Sequence, residues 1–138
     1  MSTIRPYRSA LYIPGSKDRA LEKAKGLACD AIIFDLEDAV SPEEKPAARA
    51  LLAKALAEQD FGHRAKIVRI NGLDTQWGAD DVAAFAGAKI DALLIPKVST
   101  PKDMDAAAAL IPDTPLWAMM ETALGMLNAT AIAAHAGL

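Results

Sequence analysis

Repeated βα units predict an α/β fold on a parallel sheet, and three observations carry that expectation. Short β-like runs alternate with Ala-rich helical stretches five times along the chain, and such units imply a parallel sheet with its helices outside. Polar residues within the strands gather towards the carboxyl ends, where a TIM (β/α)8 barrel keeps its active site. The first βα turn, Pro14-Gly15-Ser16-Lys17, lacks the G-x-G-x-x-G fingerprint of an open dinucleotide-binding sheet. An open doubly wound sheet, which also binds at the strand carboxyl ends, is the competing architecture.

Residues 8–13 read as the first strand, ended by Pro14-Gly15. Ser16 reads as the cap of a helix in which Ala20, Leu21, Ala24, Leu27 and Ala28 recur at helical spacing. Residues 31–37 form the second strand around Ile32-Ile33-Phe34. The next helix has two candidate starts. Ser41-Pro42-Glu43-Glu44 reads as a capping box with Pro at the first helical position. Pro46, however, breaks the first hydrogen bonds of a helix begun that early. Residues 66–71 are the third strand, 72–75 a loop and 79–85 a short helix. Residues 92–98 are the fourth strand, followed by the cap signature Thr100-Pro101-Lys102-Asp103 and a stripe of Met104, Ala107, Ala108 and Ile111. Residues 116–121 and 122–134 are the fifth strand and helix. A full barrel takes about 250 residues. The 138 residues are therefore expected to hold about the first five βα units, within one domain spanning 1–138.

Composition excludes several classes. Fifteen Lys and Arg against 18 Asp and Glu give a net charge of −3, which argues against a nucleic-acid footprint and a polybasic membrane surface. Apolar residues make up 52 % of the chain and 30 residues are Ala, enough to bury a core. No run of 18 apolar residues occurs. Residues 1–7 lack the apolar stretch of a signal peptide. The single cysteine, Cys29, fits a reducing cytosol, so a cytoplasmic location is expected. Cys29, Trp77 and Trp117 read as packing residues, His63 and His135 as surface residues.

Strand alternation sorts the candidate functional residues. Asp35 and Glu37 share one face of the second strand, with Phe34 and Leu36 opposite; Arg69 and Asn71 share a face of the third, with Val68 and Ile70 opposite. Three carboxylates in Asp35-Leu36-Glu37-Asp38 repel one another unless a cation sits among them. Arg69, Lys97 or a bound Mg²⁺ could be that cation, and a buried ion-pair network competes evenly with a catalytic role. Arg69 can grip a substrate carboxylate with two prongs or simply neutralise Asp35 or Glu37. Glu121, after an apolar strand, is a metal ligand, a base or a helix cap. Lys97 could form a Schiff base if desolvation lowered its pKa, but nearby carboxylates favour its charged form. Lys17 and Lys23, near a helix start, suit a phosphate or an ordinary solvated face.

Together these motifs resemble the citrate lyase beta subunit-like family, which includes malyl-CoA and citramalyl-CoA lyases and belongs with the HpcH/HpaI aldolases. The resemblance rests on Arg8-Ser9-Ala10-Leu11-Tyr12-Ile13-Pro14-Gly15, Asp35-Leu36-Glu37-Asp38-Ala39-Val40, Lys45-Pro46-Ala47-Ala48-Arg49, Val68-Arg69-Ile70-Asn71-Gly72-Leu73-Asp74-Thr75, Ile95-Pro96-Lys97-Val98 and Glu121-Thr122-Ala123-Leu124-Gly125, in family order. It implies a carbon–carbon lyase on a TIM barrel, using Mg²⁺ or Mn²⁺. Such an enzyme cleaves a 3-hydroxy-acyl thioester of coenzyme A or an acyl carrier to a 2-oxo acid (oxaloacetate, glyoxylate or pyruvate) and a shorter thioester. By this resemblance Glu121 is a metal ligand, and Arg69 binds the oxo acid and stabilises the enolate. Glu37 and Asp38 organise the metal's waters and Arg69, while Tyr12, Lys17 and Lys23 contact coenzyme A. The second metal carboxylate, in a later Gly-x-x-Asp-like motif, is expected beyond Leu138. A homo-oligomer is expected. The alternatives are a thioesterase on the same metal site, a Schiff-base aldolase using Lys97, and a non-catalytic half-barrel serving as an assembly module.

Overall fold

A computed structural model describes residues 5–138; part of the polar N-terminal stretch, residues 1–4, lies outside the described residues. Five parallel strands, β1 (Ala10–Pro14), β2 (Ala31–Asp35), β3 (Ala65–Arg69), β4 (Ala92–Ile95) and β5 (Leu116–Ala118), stand side by side in chain order. An open doubly wound sheet reverses direction at a switch point. This one does not, so of the two expected architectures it has the winding of a barrel.

The alternation predicted for the strands holds within them. Ile32, Phe34, Val68, Leu93 and Leu116 point outwards into the main core. There they meet helices α1 (Asp18–Ala24), α2 (Lys45–Glu58), α3 (Gly78–Phe85), α4 (Pro101–Leu110) and α6 (Ala129–Ala133) through Leu21, Leu52, Phe85, Met104 and Ile132. Ala31, Ile33, Ala65, Ile67, Ala92 and Leu94 line the inner face. Phe34 meets Phe61 edge-on, ring centroids 5.0 Å apart, a favoured aromatic geometry.

Four strands stop short of their expected carboxyl ends, at Asp35, Arg69, Ile95 and Ala118, and β1 starts two residues late. At the carboxyl ends side chains take over the backbone donors. Asp35 accepts from the N–H groups of Glu37 (2.9 Å) and Ala39 (3.0 Å), and Glu121 from that of Lys97 (2.8 Å). Single bonds from Leu36 N to Arg69 O (3.0 Å) and Met119 N to Ile95 O (2.9 Å) continue the ladder before it ends.

The helix starts correct several expectations. Lys17, not Ser16, is the N-cap of α1, and it makes no side-chain cap bond. Gly15 N donates to Asp35 O at 2.8 Å, and a Cβ on Gly15 would lie 2.9 Å from Leu36 Cδ2. That close passage holds the turn against β2 and buries the Ser16 hydroxyl without a partner. Both candidate starts of the second helix are used in succession. A 3-10 turn over Pro42–Glu44 leads into α2, with Pro46 in its first turn, where no intrahelical N–H is needed. The cap of α4 is as expected: the Asp103 carboxylate accepts from the N–H groups of Ser99 (2.9 Å) and Thr100 (2.8 Å). The single helix expected over 122–134 is two, α5 (Ala123–Leu127) and α6, broken at Asn128. The Asn128 amide donates to Ser99 O (2.9 Å) and competes with a helical course.

Cys29 is buried and His63 exposed, as expected. His135 is instead half-buried, because Gly137 O accepts from Leu116 N (2.9 Å) and folds the last turn over the β5 start. Its Nδ1 accepts from Gly137 N (3.0 Å), leaving Nε2 to face Asp105 Oδ1 at 2.9 Å. Among the described residues, no helix is long and apolar enough to cross a membrane.

Candidate functional site

Parallel register places the carboxyl ends of β2 and β3 opposite one another, pairing Asp35 with Arg69. The two side chains lock together. Asp35 accepts from Arg69 Nε at 2.7 Å and Nη2 at 2.6 Å, a planar fork that only Arg can offer. Both residues are buried. Burial pushes the Asp35 carboxyl upwards, but the Arg69 fork and the N–H groups of Glu37 and Ala39 outweigh it and hold it below the usual range. Burial acts against the Arg69 guanidinium too, but Asp35 and Glu37 raise its pKa on balance.

The remaining Arg69 edge faces the mouth. Nη1 lies 3.0 Å from Glu37 Oε2 and 3.9 Å from Asp38 Oδ2, and the guanidinium sits 5.0 Å from the Tyr12 ring centroid, within cation–π range. Glu37 is buried and its Oε2 makes no hydrogen bond, since Nη1 approaches off the N–H direction. Its Oε1 pairs with Lys97 Nζ. Glu37 therefore sits between two cations, each from the next strand or the one beyond.

Lys97 is the sole non-glycine residue at positive φ (+53°) among the described residues. That conformation costs a residue with a Cβ about 1–2 kcal/mol. It lets the ammonium reach Glu37 while the Lys97 N–H points back to Glu121. The hydrogen bond to Glu37 raises the Lys97 pKa, and burial opposes this only in part. A Schiff-base nucleophile needs the neutral amine, so the geometry works against that alternative.

The sequence-predicted residues divide into two groups. Asp35, Glu37, Asp38, Arg69, Lys97, Glu121 and Tyr12 come together at the mouth. Tyr12, in register with Ile33 on β2, stays partly exposed, its hydroxyl 3.3 Å from Met119 Sδ, and partial desolvation raises the phenol's pKa against the pull of Arg69. Lys17 and Lys23 lie outside this cluster: Lys17 pairs with Glu44 at 3.2 Å, and Lys23 is exposed in the last turn of α1. One expectation fails. Asn71 does not join the Arg69 ion pairs: it lies two residues beyond the end of β3, and Asp81 and Leu36 take up its amide. The Asn71 amide donates to Asp81 Oδ2 (2.7 Å) and Leu36 O (3.0 Å).

Four carboxylates at the mouth (Asp35, Glu37, Asp38 and Glu121) meet two cations, Arg69 and Lys97. Glu121 and Asp38 are exposed, and only Glu121 Oε1 is committed, to an N–H group. Mg²⁺ binds through one or two carboxylates and keeps several waters, so the donor set fits a partial sphere. Among the described residues, no three His, Cys, Asp or Glu lie close enough to hold an ion alone. A cavity of about 450 Å³ opens beside this group, walled by Glu37, Asn71, Thr75, Lys97, Ser99 and Lys102, a size that suits a small ligand.

Residues 8–138 match the model of the HpcH/HpaI aldolase/citrate lyase family. The chain belongs to that family. Over 130 residues it is 71 % identical to a (3S)-malyl-CoA thioesterase of Cereibacter sphaeroides, covering 94 % of this chain and 46 % of the relative. It is 39 % identical to the citrate lyase subunit beta of Leuconostoc mesenteroides subsp. cremoris, covering 96 % and 48 %. The chain thus spans about half the length of these relatives. Among solved structures, the citrate lyase beta subunit of M. tuberculosis complexed with oxaloacetate and magnesium superposes with a TM-score of 0.81. The identity is 30 %, over 96 % of this chain and 56 % of that one. Another, in complex with magnesium, acetoacetate and coenzyme A, gives 0.80 at 31 % identity, over 97 % and 47 %. As an HpcH/HpaI-type chain it carries five parallel βα units of a TIM-barrel-like fold, as its motifs imply.

Sequence reasoning did not assign Lys45, Arg49 or Asp81 a place. Lys45 and Asp81 are buried. The four-residue spacing of Lys45 and Arg49 on one helical face was the available signal.

Proposed function

We propose that this chain forms the N-terminal five βα units of a magnesium-dependent barrel enzyme acting on a malyl-type coenzyme A thioester, and that the reaction is hydrolysis of that thioester. The carrying observation is the mouth itself: a buried Glu37 clamped between Arg69 and Lys97, with Glu121 turned outwards beside them. The 71 % identity to a (3S)-malyl-CoA thioesterase favours hydrolysis. Carbon–carbon cleavage is the second reading, favoured by the citrate lyase beta relative and by a malyl-CoA/beta-methylmalyl-CoA lyase 43 % identical over 110 residues.

Glu121 and the water-organising Asp38 would hold magnesium, which when bound polarises a carbonyl oxygen as a Lewis acid. Arg69 offers its Nη1 edge to a substrate oxygen, its other edge being fixed on Asp35. Preorganised donors of this kind stabilise charge as it develops. Lys97 stays an ammonium and supplies fixed positive charge. Glu37, desolvated between them, is the group placed to accept a proton or orient a water. Tyr12, Lys17 and Lys23 would contact the coenzyme A portion, whose phosphates suit lysine ammonium groups. A cytoplasmic homo-oligomer completes the proposal; the net charge of −3 argues against nucleic-acid and membrane partners, and the free Cys29 suits a reducing compartment.

Incubation of the whole barrel protein with (3S)-malyl-CoA and Mg²⁺ separates the readings. Hydrolysis releases malate and a free coenzyme A thiol that a thiol reagent detects. Cleavage releases glyoxylate and acetyl-CoA with no free thiol. Glu121→Gln should weaken Mg²⁺ affinity by roughly 10–100-fold, the scale of a lost carboxylate near a metal. Absence of any magnesium-dependent product rejects both readings. A borohydride-trapped mass adduct on Lys97 would restore the Schiff-base alternative.

A further inference from the structure

Behind the mouth lies a second set of charges that the proposed chemistry leaves unused. Lys45, the first residue of α2, is buried. Its Nζ donates to the carbonyls of Leu36 (3.1 Å) and Glu37 (2.7 Å) and sits 5.2 Å from the Trp77 ring centroid. An ammonium has three donors; two are spent on consecutive carbonyls and the ring faces the same group. Burial pushes the Lys45 pKa down, while Glu37, Asp35 and Asp81 pull against that. Burying a charge without a direct carboxylate partner is costly, so a plain cap for two carbonyls would not call for a lysine.

The surrounding network fixes that ammonium's targets. Leu36 O also accepts from the Asn71 amide (3.0 Å). Asp81, fully buried on α3, accepts from Asn71 N (2.9 Å) and Nδ2 (2.7 Å) through Oδ2, and from Arg49 Nε (2.8 Å) through Oδ1. Lys45 and Arg49 lie one turn apart on α2 and reach the same region from one helical face, which gives the Lys45-Pro46-Ala47-Ala48-Arg49 motif a physical purpose. On the front side, Leu36 N donates to Arg69 O (3.0 Å) and Glu37 N to Asp35 Oδ1 (2.9 Å). The backbone of Glu37 is therefore clamped by N–H bonds in front and by the ammonium behind.

We propose that Lys45 is a positioning residue: through the carbonyls of Leu36 and Glu37, backed by Asn71, Asp81 and Arg49, it sets the direction in which the Glu37 carboxylate meets Arg69 and Lys97. This rests on the reading of Glu37 as a working group of a malyl-thioester enzyme. Lys45 itself lines none of the cavity.

The test is a double-mutant cycle of Lys45→Met and Glu37→Gln in the whole protein with Mg²⁺ and (3S)-malyl-CoA, joined to amide hydrogen exchange. Lys54→Met, on the exposed side of α2, is the control. Lys45→Met should lower kcat by about 10–100-fold, the penalty of a group displaced by roughly 1 Å, with KM within about threefold of wild type. The double variant should be no slower than Glu37→Gln alone, because effects routed through one residue do not multiply. Lys45→Arg should recover part of the rate. Exchange should accelerate at residues 37–39 and stay at wild-type rates in β3 and β4. Multiplicative losses, or faster exchange throughout the sheet, would overturn positioning in favour of a general stabilising role. If the wild type turns over no malyl thioester, the functional reading fails. The exchange pattern then decides alone: local acceleration at 37–39 sustains the positioning role, and its absence ends it.

Discussion

Two polar networks meet at the carboxyl end of β2, one on each side of the same two residues, and they are built to opposite rules. The front network of Asp35, Arg69, Glu37, Lys97 and Glu121 leaves capacity unspent. Glu37 Oε2 lacks a hydrogen bond, and Asp38 and Glu121 are exposed. The rear network of Lys45, Asn71, Asp81 and Arg49 is largely buried and almost fully paired, with Asp81 receiving three donors at 0 % exposure. Saturated buried networks rigidify and specify a structure; unsaturated ones at a mouth await a partner. The difference teaches where the molecule spends its polar groups: behind β2 to fix geometry, in front of it to keep charge available.

The largest effect is expected from Arg69→Met, which removes the cation shared by three front carboxylates. It strands Asp35 inside the fold, and breaking a buried pair from one side costs about 3–5 kcal/mol. Urea unfolding should show that loss. Arg69→Lys should recover much of the stability but little activity, since an ammonium cannot fork onto Asp35 and still present a second edge. If Arg69→Lys keeps near-wild-type turnover, the front is a neutralising network and nothing more. Asp81→Asn breaks the rear instead. It keeps the shape but leaves Arg49 without its carboxylate, at a cost of about 1–3 kcal/mol. The expected signature is a lower unfolding midpoint and a smaller drop in kcat than Lys45→Met causes, with KM unchanged; a change in KM larger than that in kcat would mean that the rear network bears on substrate binding rather than on the direction of Glu37.

The sequence made the front legible and the rear opaque for physical reasons. Period-2 alternation placed Asp35, Glu37 and Arg69 on one face because all three sit in or beside strands that keep the pleat. It failed at Asn71 because tertiary partners claim its amide, Asp81 Oδ2 and Leu36 O, whereas Glu37, equally two residues past its strand, still meets Arg69. Asp81 lies in a helix whose charge looks like any first-turn acid favoured by the helix dipole, so nothing in its pattern announces complete burial. Lys45 was hidden in the same way, since its targets are backbone carbonyls and carbonyls leave no mark on sequence. The winding of the sheet was legible from five repeated units, whereas the break at Asn128 depends on a side-chain bond to Ser99 O that no local rule supplies.

Lys97 sharpens the comparison from the strained side. Lys97→Ala and Lys97→Gly both remove the ammonium from Glu37, but only Ala keeps a Cβ at φ +53°. The glycine variant should therefore be more stable than the alanine variant by about 1 kcal/mol, the cost of a left-handed conformation, while both lose activity alike. A pair with equal stability would mean that the backbone relaxes when the ammonium is gone. A glycine variant that kept full activity would mean that the ion pair to Glu37 serves stability alone.

The smallest effect is expected at the opposite end of the strands, where the same kind of chemistry holds the fold without serving a mouth. Asp30, just before β2, accepts from Arg8 N (2.8 Å), Arg8 Nη2 (3.3 Å) and Ser9 N (3.0 Å), tying the approach to the edge strand β1 onto β2. The Arg8 side chain and those N–H groups lower its pKa to about 2, against 3.8 in the unfolded chain. Between those values the unfolded chain binds more protons than the folded one, so stability rises with pH through that window. The Asp30 contribution is complete above 3.8 and lost as pH falls towards 2. Unfolding midpoints measured from pH 5 down to pH 2 should fall less steeply in Asp30→Asn than in wild type, and kcat at neutral pH should not change. The Asp35 carboxyl, also lowered on folding, adds to the wild-type slope from the mouth and stays in the Asp30→Asn variant. The slope that remains there comes from Asp35 and from Glu44, whose carboxyl Ser41 and Lys17 also hold low; if Asp30→Asn abolished it entirely, the Asp35–Arg69 fork would contribute nothing to acid stability and its place in the comparison would fall.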